Sequence, residues 1–367
     1  MSGTSLDGAD AVLVEFCDGK LATQAHASAP FPETLREELL ALNAPGGVDE
    51  LHRAALAANA LAREYAQLVQ AVLEKAAIPA SAVRAIGAHG QTVRHRPLEF
   101  DGVGYTLQLN APALLAELSG IDVVADFRTR DLAAGGQGAP LVPAFHRAVF
   151  GLSGQPQAVL NLGGIANLSV LPPIEDDLGQ VLGFDCGPAN ALLDHWCREH
   201  TGRAFDEGGA WASTGQVLPD LLARMLAEPY FERSPPKSTG RDLFNPTWLQ
   251  GHLRALTAAP RAEDVQATLS GLTAASVARD VRTVAKGVAE LVVCGGGALN
   301  DDLLRRIQQA LPGVHVLTSE ERGLAPTQVE AAAFAWLARA TVRREPGNLP
   351  GVTGARGPRV LGAIYPA

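Results

Sequence analysis

Long apolar runs, paired cysteines and an excess of positive charge are all missing from this chain of 367 residues. No stretch reaches the roughly 18 consecutive apolar residues that indicate a membrane-spanning helix. The first residues include Asp7 and Asp10 but no Lys or Arg, which is unlike a signal peptide. We therefore expect a cytoplasmic protein without a membrane partner.

The four cysteines are scattered and form no CxxC pair, so neither a disulfide framework nor a zinc site is predicted. They fit a reducing compartment. The formal net charge of −9 argues against a nucleic-acid partner, because binding to phosphate backbones favours a basic surface. A phosphorylated small molecule remains compatible with this charge, since neutral backbone amides can hold phosphate.

Strand-like and helix-like segments alternate along the chain, which predicts an α/β fold of about two domains. Strands are predicted near 9–16, 20–27, 84–88, 105–109, 121–125, 157–161, 167–171, 180–184, 290–294 and 359–364. Helices are predicted near 47–77, 189–199, 261–287, 300–311 and 328–343. The Gly-rich segment 127–141 is predicted to be a long loop, and 226–246 an exposed excursion.

Three Gly-containing loops can hold a nucleotide, although each is a weak signal alone. The first is MSGTSLDGAD at 1–10, in which hydroxyls can donate to phosphate and Asp7 can hold a hydrated Mg²⁺; a polar turn is the alternative. The second is NLGGIANL at 161–168, which a simple hairpin also explains. The third is CGGGALN at 294–300, between a strand and a helix. Together, in this order, the loops resemble the actin/Hsp70/sugar-kinase superfamily, in which two α/β domains clamp ATP.

Asp185 is the candidate for the chemistry. It lies in GFDCGPAN at 183–190, which is predicted to end a strand and open a helix. A carboxylate is ionised at neutral pH and can accept a proton from water or from a hydroxyl. The alternative is that Asp185 only caps the following helix.

Nine stretches spread over nearly the whole chain closely resemble the anhydro-N-acetylmuramic acid kinase family. They are MSGTSLDGAD (1–10), GAHGQTVRHRP (87–97), ADFRTRDLAAGGQGAPLVPAFH (125–146), LNLGGIANLSV (160–170), GFDCGPAN (183–190), PPKSTGRDLFN (235–245), VCGGGALND (293–301), VEAAAFAWLA (329–338) and VTGA (352–355). Position 186 is Cys where the family pattern leads us to expect Thr.

The resemblance implies the fold, the reaction and several residue roles. The fold would be two actin/Hsp70/sugar-kinase-like (RNase H-like) α/β domains that clamp ATP in a central cleft. The reaction would convert 1,6-anhydro-N-acetylmuramate, ATP and water into N-acetylmuramate 6-phosphate and ADP in peptidoglycan recycling, with Asp185 as the base that activates water. Mg²⁺ would accompany ATP near Asp7, and a homodimer is compatible. The predicted ATP-binding residues are Gly3, Thr4, Ser5, Leu6, Asp7, Gly8, Ala9, Asp10, Gly163, Gly164, Gly295, Gly296 and Gly297.

Four further residues are predicted to face the sugar: His89, Gln91, Arg130 and Glu330. Arg130 would hold the lactyl carboxylate, for which a guanidinium is well suited. Each has a structural alternative: a turn for His89 and Gln91, a surface ion pair for Arg130, and a solvent-facing position for Glu330.

The predicted boundaries are residues 1–130 for the N-terminal domain, with 345–367 returning to it, and 131–344 for the C-terminal domain. The family has a short strand before MSGTS, so we also expect this chain to lack that strand and to be less stable for it. Two other functions remain open from the residues alone. One is a simple sugar kinase that deprotonates a free hydroxyl, and the other is a nucleotide-driven switch.

Overall fold

The fold is that of a computed structural model, which describes residues 1–3, 6–17, 20–176, 181–240 and 242–367. Its contacts divide the chain into two compact units, residues 1–149 with 330–367 and residues 150–329. The strands are β1 Gly8–Cys17, β2 Lys20–Pro30, β3 Ile86–Gly87, β4 Gln91–Pro97, β5 Gly104–Leu109, β6 Val123–Ala125, β7 Gln157–Leu162, β8 Ile165–Leu171, β9 Leu182–Pro188, β10 Glu290–Cys294, β11 His315–Thr318 and β12 Ala363–Tyr365. The α-helices are α1 Glu33–Asn43, α2 Glu50–Ala76, α3 Pro112–Ser119, α4 Thr129–Ala133, α5 Val142–Phe150, α6 Asn190–Thr201, α7 Pro219–Leu226, α8 Pro246–Arg254, α9 Ala262–Val284, α10 Asp301–Ala310, α11 Val329–Val342 and α12 Pro350–Thr353.

The first unit combines small sheets with the long helix α2. The strands β1 and β2 form an antiparallel hairpin, β4 pairs with β5, and a third sheet has the order β12-β6-β3. Helix α2 buries one face, including Leu61, Tyr65 and Leu68, at the three- and four-residue spacing of an amphipathic helix. Burial of such a face stabilises the unit by roughly 1.5–3 kcal/mol per large apolar side chain.

Helix α11 packs very closely on β3 in the same unit. A Cβ on Gly87 would lie 2.2 Å from the carbonyl oxygen of Phe334, so only glycine allows this approach. Phe334 and Phe127 are buried in contact, with ring centroids 5.5 Å apart.

The second unit is built on a five-stranded sheet with the order β11-β10-β7-β8-β9. The strands β11, β10 and β7 are parallel to one another, whereas β8 is antiparallel to both of its neighbours, β7 and β9. Strand β7 is buried along almost its whole length, as expected for a strand covered on both faces. Helix α9 packs against β8 and β9 and is itself mostly buried.

Most predicted elements are present, but several boundaries and helices differ from the prediction. Asp185 lies inside β9, which continues to Pro188, and α6 begins only at Asn190. The helix-cap interpretation of Asp185 is therefore wrong. The segment predicted as a long loop contains the short helix α4. Also not predicted were helices α1, α3, α5, α7, α8 and α12 and strands β4 and β11. The prediction of an exposed excursion at 226–246 is wrong, because Tyr230, Phe231 and Phe244 are buried. Position 180 of one predicted strand lies outside the described residues.

The observed units also differ in extent from the predicted domains. Residues 131–149 and 330–344 group with the first unit rather than with the second. The buried Asp131 explains part of this difference, because it accepts hydrogen bonds from Asn348 and Thr353 at 2.6 and 2.8 Å. Within the described ranges, no helix is both long enough and apolar enough to cross a membrane.

Candidate active site

Asp185 projects from the middle of the edge strand β9 of the second unit. In the antiparallel register it lies opposite Asn167 of β8, next to the point where the pairing shifts by one residue. Such irregularities re-aim side chains and are frequent beside active sites. The Asp185 side chain is neither fully buried nor fully exposed, so a water molecule or a substrate can reach it.

Three neutral donors orient the Asp185 carboxylate. Asn167 Nδ2 donates to Oδ1 at 2.9 Å, and Ser238 Oγ and the Thr239 backbone N–H donate to Oδ2 at 3.0 Å each. Behind the strand, Tyr230 Oη donates to the backbone oxygen of Asp185 at 2.7 Å. The carboxylate is thus fixed in direction by hydrogen bonds to charged oxygens, which are stronger than those between neutral groups.

The Gly163-Gly164 turn joins β7 to β8 and is held against the start of α6. The Asn190 amide donates to the Gly163 oxygen at 3.0 Å, and the Ala189 amide donates to the Gly164 oxygen at 3.0 Å. The side chain of Asn190 donates to the Leu162 oxygen at 3.0 Å. The predicted hairpin is therefore present, and hydrogen bonds hold its turn against residues 189–190.

Gly295 and Gly297 sit where β10 meets that same turn, and packing alone requires them to be glycine. A Cβ on Gly295 would lie 2.3 Å from Asn161 Oδ1 and 2.8 Å from the Leu162 oxygen, and the backbone has φ +80°. A Cβ on Gly297 would lie 2.6 Å from Leu162 Cβ. The structure thus brings the second and third predicted loops together.

Three glycines of this cluster are not explained by packing. A Cβ on Gly163, Gly164 or Gly296 would come no closer than 3.5 Å to its neighbours, and none of the three has φ in the left-handed region. A two-residue hairpin usually demands glycine for a positive φ, and here it does not. The side chains that are missing leave an open cradle on the exposed side of the turn, where a ligand can approach the backbone.

The first predicted loop lies in the other unit, and its last three residues belong to β1. Gly8, Ala9 and Asp10 pair with β2, and a Cβ on Gly8 would lie 2.2 Å from the Ala29 oxygen. Leu6 is buried with φ +60°, Asp7 is exposed, and Gly3 accepts a hydrogen bond from Gln91. Thr4 and Ser5 lie outside the described residues.

The buried His89 and the half-buried Arg128 form a polar pair in the first unit. Arg128 donates to His89 Nε2 through Nε at 3.2 Å and through Nη2 at 2.9 Å. Burial and the neighbouring Arg128 charge lower the pKa of His89 well below its usual value, so the ring is neutral at pH 7. Because Nε2 accepts, the ring proton is assigned to Nδ1. Burial lowers the pKa of Arg128 to about 10, which leaves the guanidinium charged at pH 7, although the negative charge of Glu330 acts to raise this pKa.

The other predicted sugar-facing residues of this unit, Gln91 and Arg130, lie in different environments. Gln91 is buried and donates to the Gly3 oxygen at 3.1 Å. Arg130 is exposed on α4 and lines a surface cavity with Asp126. Sequence reasoning chose Arg130, and the structure places Arg128 beside His89.

Asn190, Ser238 and Thr239 were not predicted as site residues. Their contacts join residues 28 to 54 positions apart in sequence, so no local spacing could indicate them. All three residues lie in the family-like stretches GFDCGPAN (183–190) and PPKSTGRDLFN (235–245), which is the signal that could have found them. Within the part of the chain that the structure describes, no group of three or more His, Cys, Asp or Glu side chains can hold a metal ion by itself.

Comparison with known proteins identifies the family. The family model described as anhydro-N-acetylmuramic acid kinase matches residues 1–367. The anhydro-N-acetylmuramic acid kinase of Variovorax paradoxus is 66% identical over 100% of this chain and 98% of its own length. That of Cupriavidus pinatubonensis is 59% identical over 100% of this chain and 97% of its own length.

A solved structure, the activator of the 2-hydroxyisocaproyl-CoA dehydratase from Clostridium difficile with bound ADPNP, covers 92% of this chain and 97% of its own at 12% identity, with a TM-score of 0.44. The predicted α/β class is confirmed by the alternating helices and strands of the two units. The full-length match and the high identity to curated relatives show that this chain belongs to the anhydro-N-acetylmuramic acid kinase family.

Proposed function

We propose that Asp185 is the general base with which this kinase opens 1,6-anhydro-N-acetylmuramate by hydrolysis while ATP phosphorylates the sugar at O6. The observation that supports this role most directly is the orientation of the Asp185 carboxylate by three neutral donors. Among the described residues no cation forms an ion pair with this carboxylate, and Asp185 is only half-buried. A positioned base of this kind typically contributes roughly 10²–10⁴-fold to a rate.

The proposed reaction couples hydrolysis of the anhydro bridge to transfer of the γ-phosphoryl group. Asp185 takes a proton from water as the water oxygen bonds to C1 of the sugar. The C1–O6 bond of the anhydro bridge breaks, and O6 forms a bond to the γ-phosphorus while the bond to ADP breaks. The products are N-acetylmuramate 6-phosphate and ADP, and Asp185 releases its proton to solvent. Because the leaving O6 is captured by phosphorus, a second carboxylate of the kind that glycosidases use is not required.

Two groups of loop residues are proposed to bind ATP, each within its own unit. In the second unit the cradle of Gly163, Gly164 and Gly296 exposes backbone that can approach phosphate. Gly295 and Gly297 support this cradle by packing. In the first unit the segment from Gly3 to Asp10 is proposed to contribute, as the family resemblance implies.

Mg²⁺ is proposed to accompany ATP near Asp7. The donor set fits, because Asp7 offers an exposed carboxylate and Mg²⁺ is usually held by one or two carboxylates, waters and phosphate oxygens. When bound, the ion would offset charge on the phosphates during transfer.

His89, Gln91, Arg130 and Glu330 are proposed to contact the sugar. Support comes from the first unit, where His89 and Gln91 are buried polar groups near Gly3 and Ser2. Arg130 is exposed and charged, as binding of a lactyl carboxylate requires. A cytoplasmic location and a homodimer are proposed from the family resemblance.

The test is product analysis after turnover with 1,6-anhydro-N-acetylmuramate and ATP in ¹⁸O-labelled water. We expect one label at C1, none in the phosphate, and one ADP released per sugar. Turnover of the free sugar N-acetylmuramate is the matched control, since a simple sugar kinase would phosphorylate it without incorporating label. Product without label at C1 would contradict ring opening.

A further inference from the structure

A buried ion pair lies directly behind the Asp185 strand. Lys237 Nζ is 3.0 Å from Asp280 Oδ1, and only 1% and 6% of the two side chains are exposed. Asp280 belongs to α9, and Lys237 belongs to the segment that follows Pro235-Pro236. Removing two charges from water costs more than such a pair often returns, so stability alone does not explain it.

The segment that Lys237 anchors makes three contacts with Asp185. The Asp185 amide donates to the Lys237 oxygen at 3.1 Å, and the next two residues, Ser238 and Thr239, donate to the carboxylate. The position of Lys237 therefore sets where the two donors to the carboxylate lie. A shift of the anchor would move both donors together.

The Lys237 ammonium is also enclosed by the residues that hold the other side of Asp185. It lies 5.3 Å from the ring centroid of Tyr230 and 5.8 Å from that of Phe184, within the range of cation–π contacts. The Tyr230 hydroxyl in turn donates to the backbone carbonyl oxygen of Asp185. The Lys237 side chain is thus held by an ion pair at its ammonium group and by contacts with two aromatic rings, which restrict its conformation.

We propose that the buried Lys237–Asp280 pair is a positioning device that fixes residues 237–239, and through them the direction of the Asp185 carboxylate. Lys237 and Asp280 do not touch the reacting atoms; they act through Ser238 and Thr239. The inference rests on the proposed role of Asp185 as base. Since misplacement of a catalytic group by about 1 Å can cost about 10²-fold in rate, loss of the pair is expected to lower kcat.

The experiment is a double-mutant cycle with the full-length chain. Lys237→Met leaves Asp280 buried and unpaired and is expected to lower the melting temperature strongly. The main variant is therefore Lys237→Met with Asp280→Leu, which removes both charges. It is expected to keep most of the melting temperature and the KM for ATP, while kcat falls at least about tenfold. Arg306→Met, which breaks an ion pair with Asp302 on α10, is the control and should leave kcat unchanged.

The same double substitution is then placed in an Asp185→Asn background. If the ion pair acts through Asp185, the double substitution changes the residual rate of the Asp185→Asn variant by less than about twofold, because the base that the pair positions is already absent. An equal loss in both backgrounds, or a folded double variant with wild-type kcat, would overturn the inference. A fully active Asp185→Asn single variant would instead overturn the proposed base, and the inference with it, so the two failures are distinguishable.

Discussion

Asn167 and Asp185 face each other on adjacent antiparallel strands, and the Asn167 amide donates a 2.9 Å hydrogen bond to the Asp185 carboxylate. The pair combines a rigid sheet position with a neutral partner. A cationic partner at this distance would hold the carboxylate more strongly, but it would also stabilise the ionised form and make the carboxylate a weaker base. The arrangement is suited to a base rather than to a structural ion pair.

Asp185→Asn is expected to abolish turnover and to leave ATP binding intact. The amide is nearly the same size but cannot accept the proton, and a general base contributes roughly 10²–10⁴-fold. Steady-state rates and ATP titration by calorimetry provide the two measurements. The variant that exchanges the two groups, Asn167→Asp with Asp185→Asn, is the control for net charge and should not recover activity. A rate above about a tenth of wild type would contradict the assignment.

Asn167→Ala is expected to lower kcat with little change in the KM for ATP. It removes one hydrogen bond to a charged oxygen, worth roughly 1.5–3 kcal/mol, which corresponds to about 10–100-fold if the loss falls on the transition state. Steady-state kinetics with each substrate varied in turn measures it. A rise in KM at constant kcat would show that Asn167 binds substrate instead of orienting the base.

Alanine substitutions in the Gly cluster are expected to separate binding from folding. Gly164→Ala and Gly296→Ala meet no clash, so we expect an unchanged melting temperature and weaker ATP binding. Gly295→Ala forces a side chain into a left-handed backbone and against Leu162, which costs roughly 1–3 kcal/mol and lowers the melting temperature. Thermal melts with and without ATP distinguish the two classes. Equal ATP affinity in Gly164→Ala and wild type would show that the cradle does not hold the nucleotide.

Acidification is expected to destabilise the protein through His146. Burial lowers the pKa of His146 to about 3, whereas in the unfolded chain it lies near the usual 6.5. Between these values the unfolded state binds a proton that the native state does not. Stability is therefore complete above pH 6.5 and falls as the pH is lowered through this window, by about 2 kcal/mol at pH 5.

The measurement is urea unfolding at pH 7.5 and at pH 5.0. His146→Gln should lose less stability between the two pH values than wild type does, because Gln does not titrate. His315→Gln, at an exposed ring, is the matched control and should behave as wild type. An unchanged pH dependence in His146→Gln would contradict the prediction.

The amino-acid sequence alone predicts the kinds of secondary-structure element and the chemical groups that are available for the reaction. The period-two and period-3.6 patterns located β10 at 290–294 and most of α2, α9 and α11, because one face or the whole element must leave water. The nine motifs identified the family, and they marked Asp185 and the three Gly-containing loops. The sequence does not show why each position is glycine, because close packing, a positive φ and the approach of a ligand to the backbone all favour the same residue.

Which of these residues come into contact depends on how the elements pack in three dimensions. Asp185 was expected at a strand end and lies inside β9, because pairing with β8 continues to Pro188 and strand pairing is a non-local contact. Arg128 rather than Arg130 contacts His89, because Arg128 precedes α4 whereas Arg130 lies within its first turn, and their side chains therefore point in different directions. The Lys237–Asp280 pair joins residues 43 positions apart. No local pattern encodes such a contact, which exists only because α9 packs against the sheet that carries Asp185.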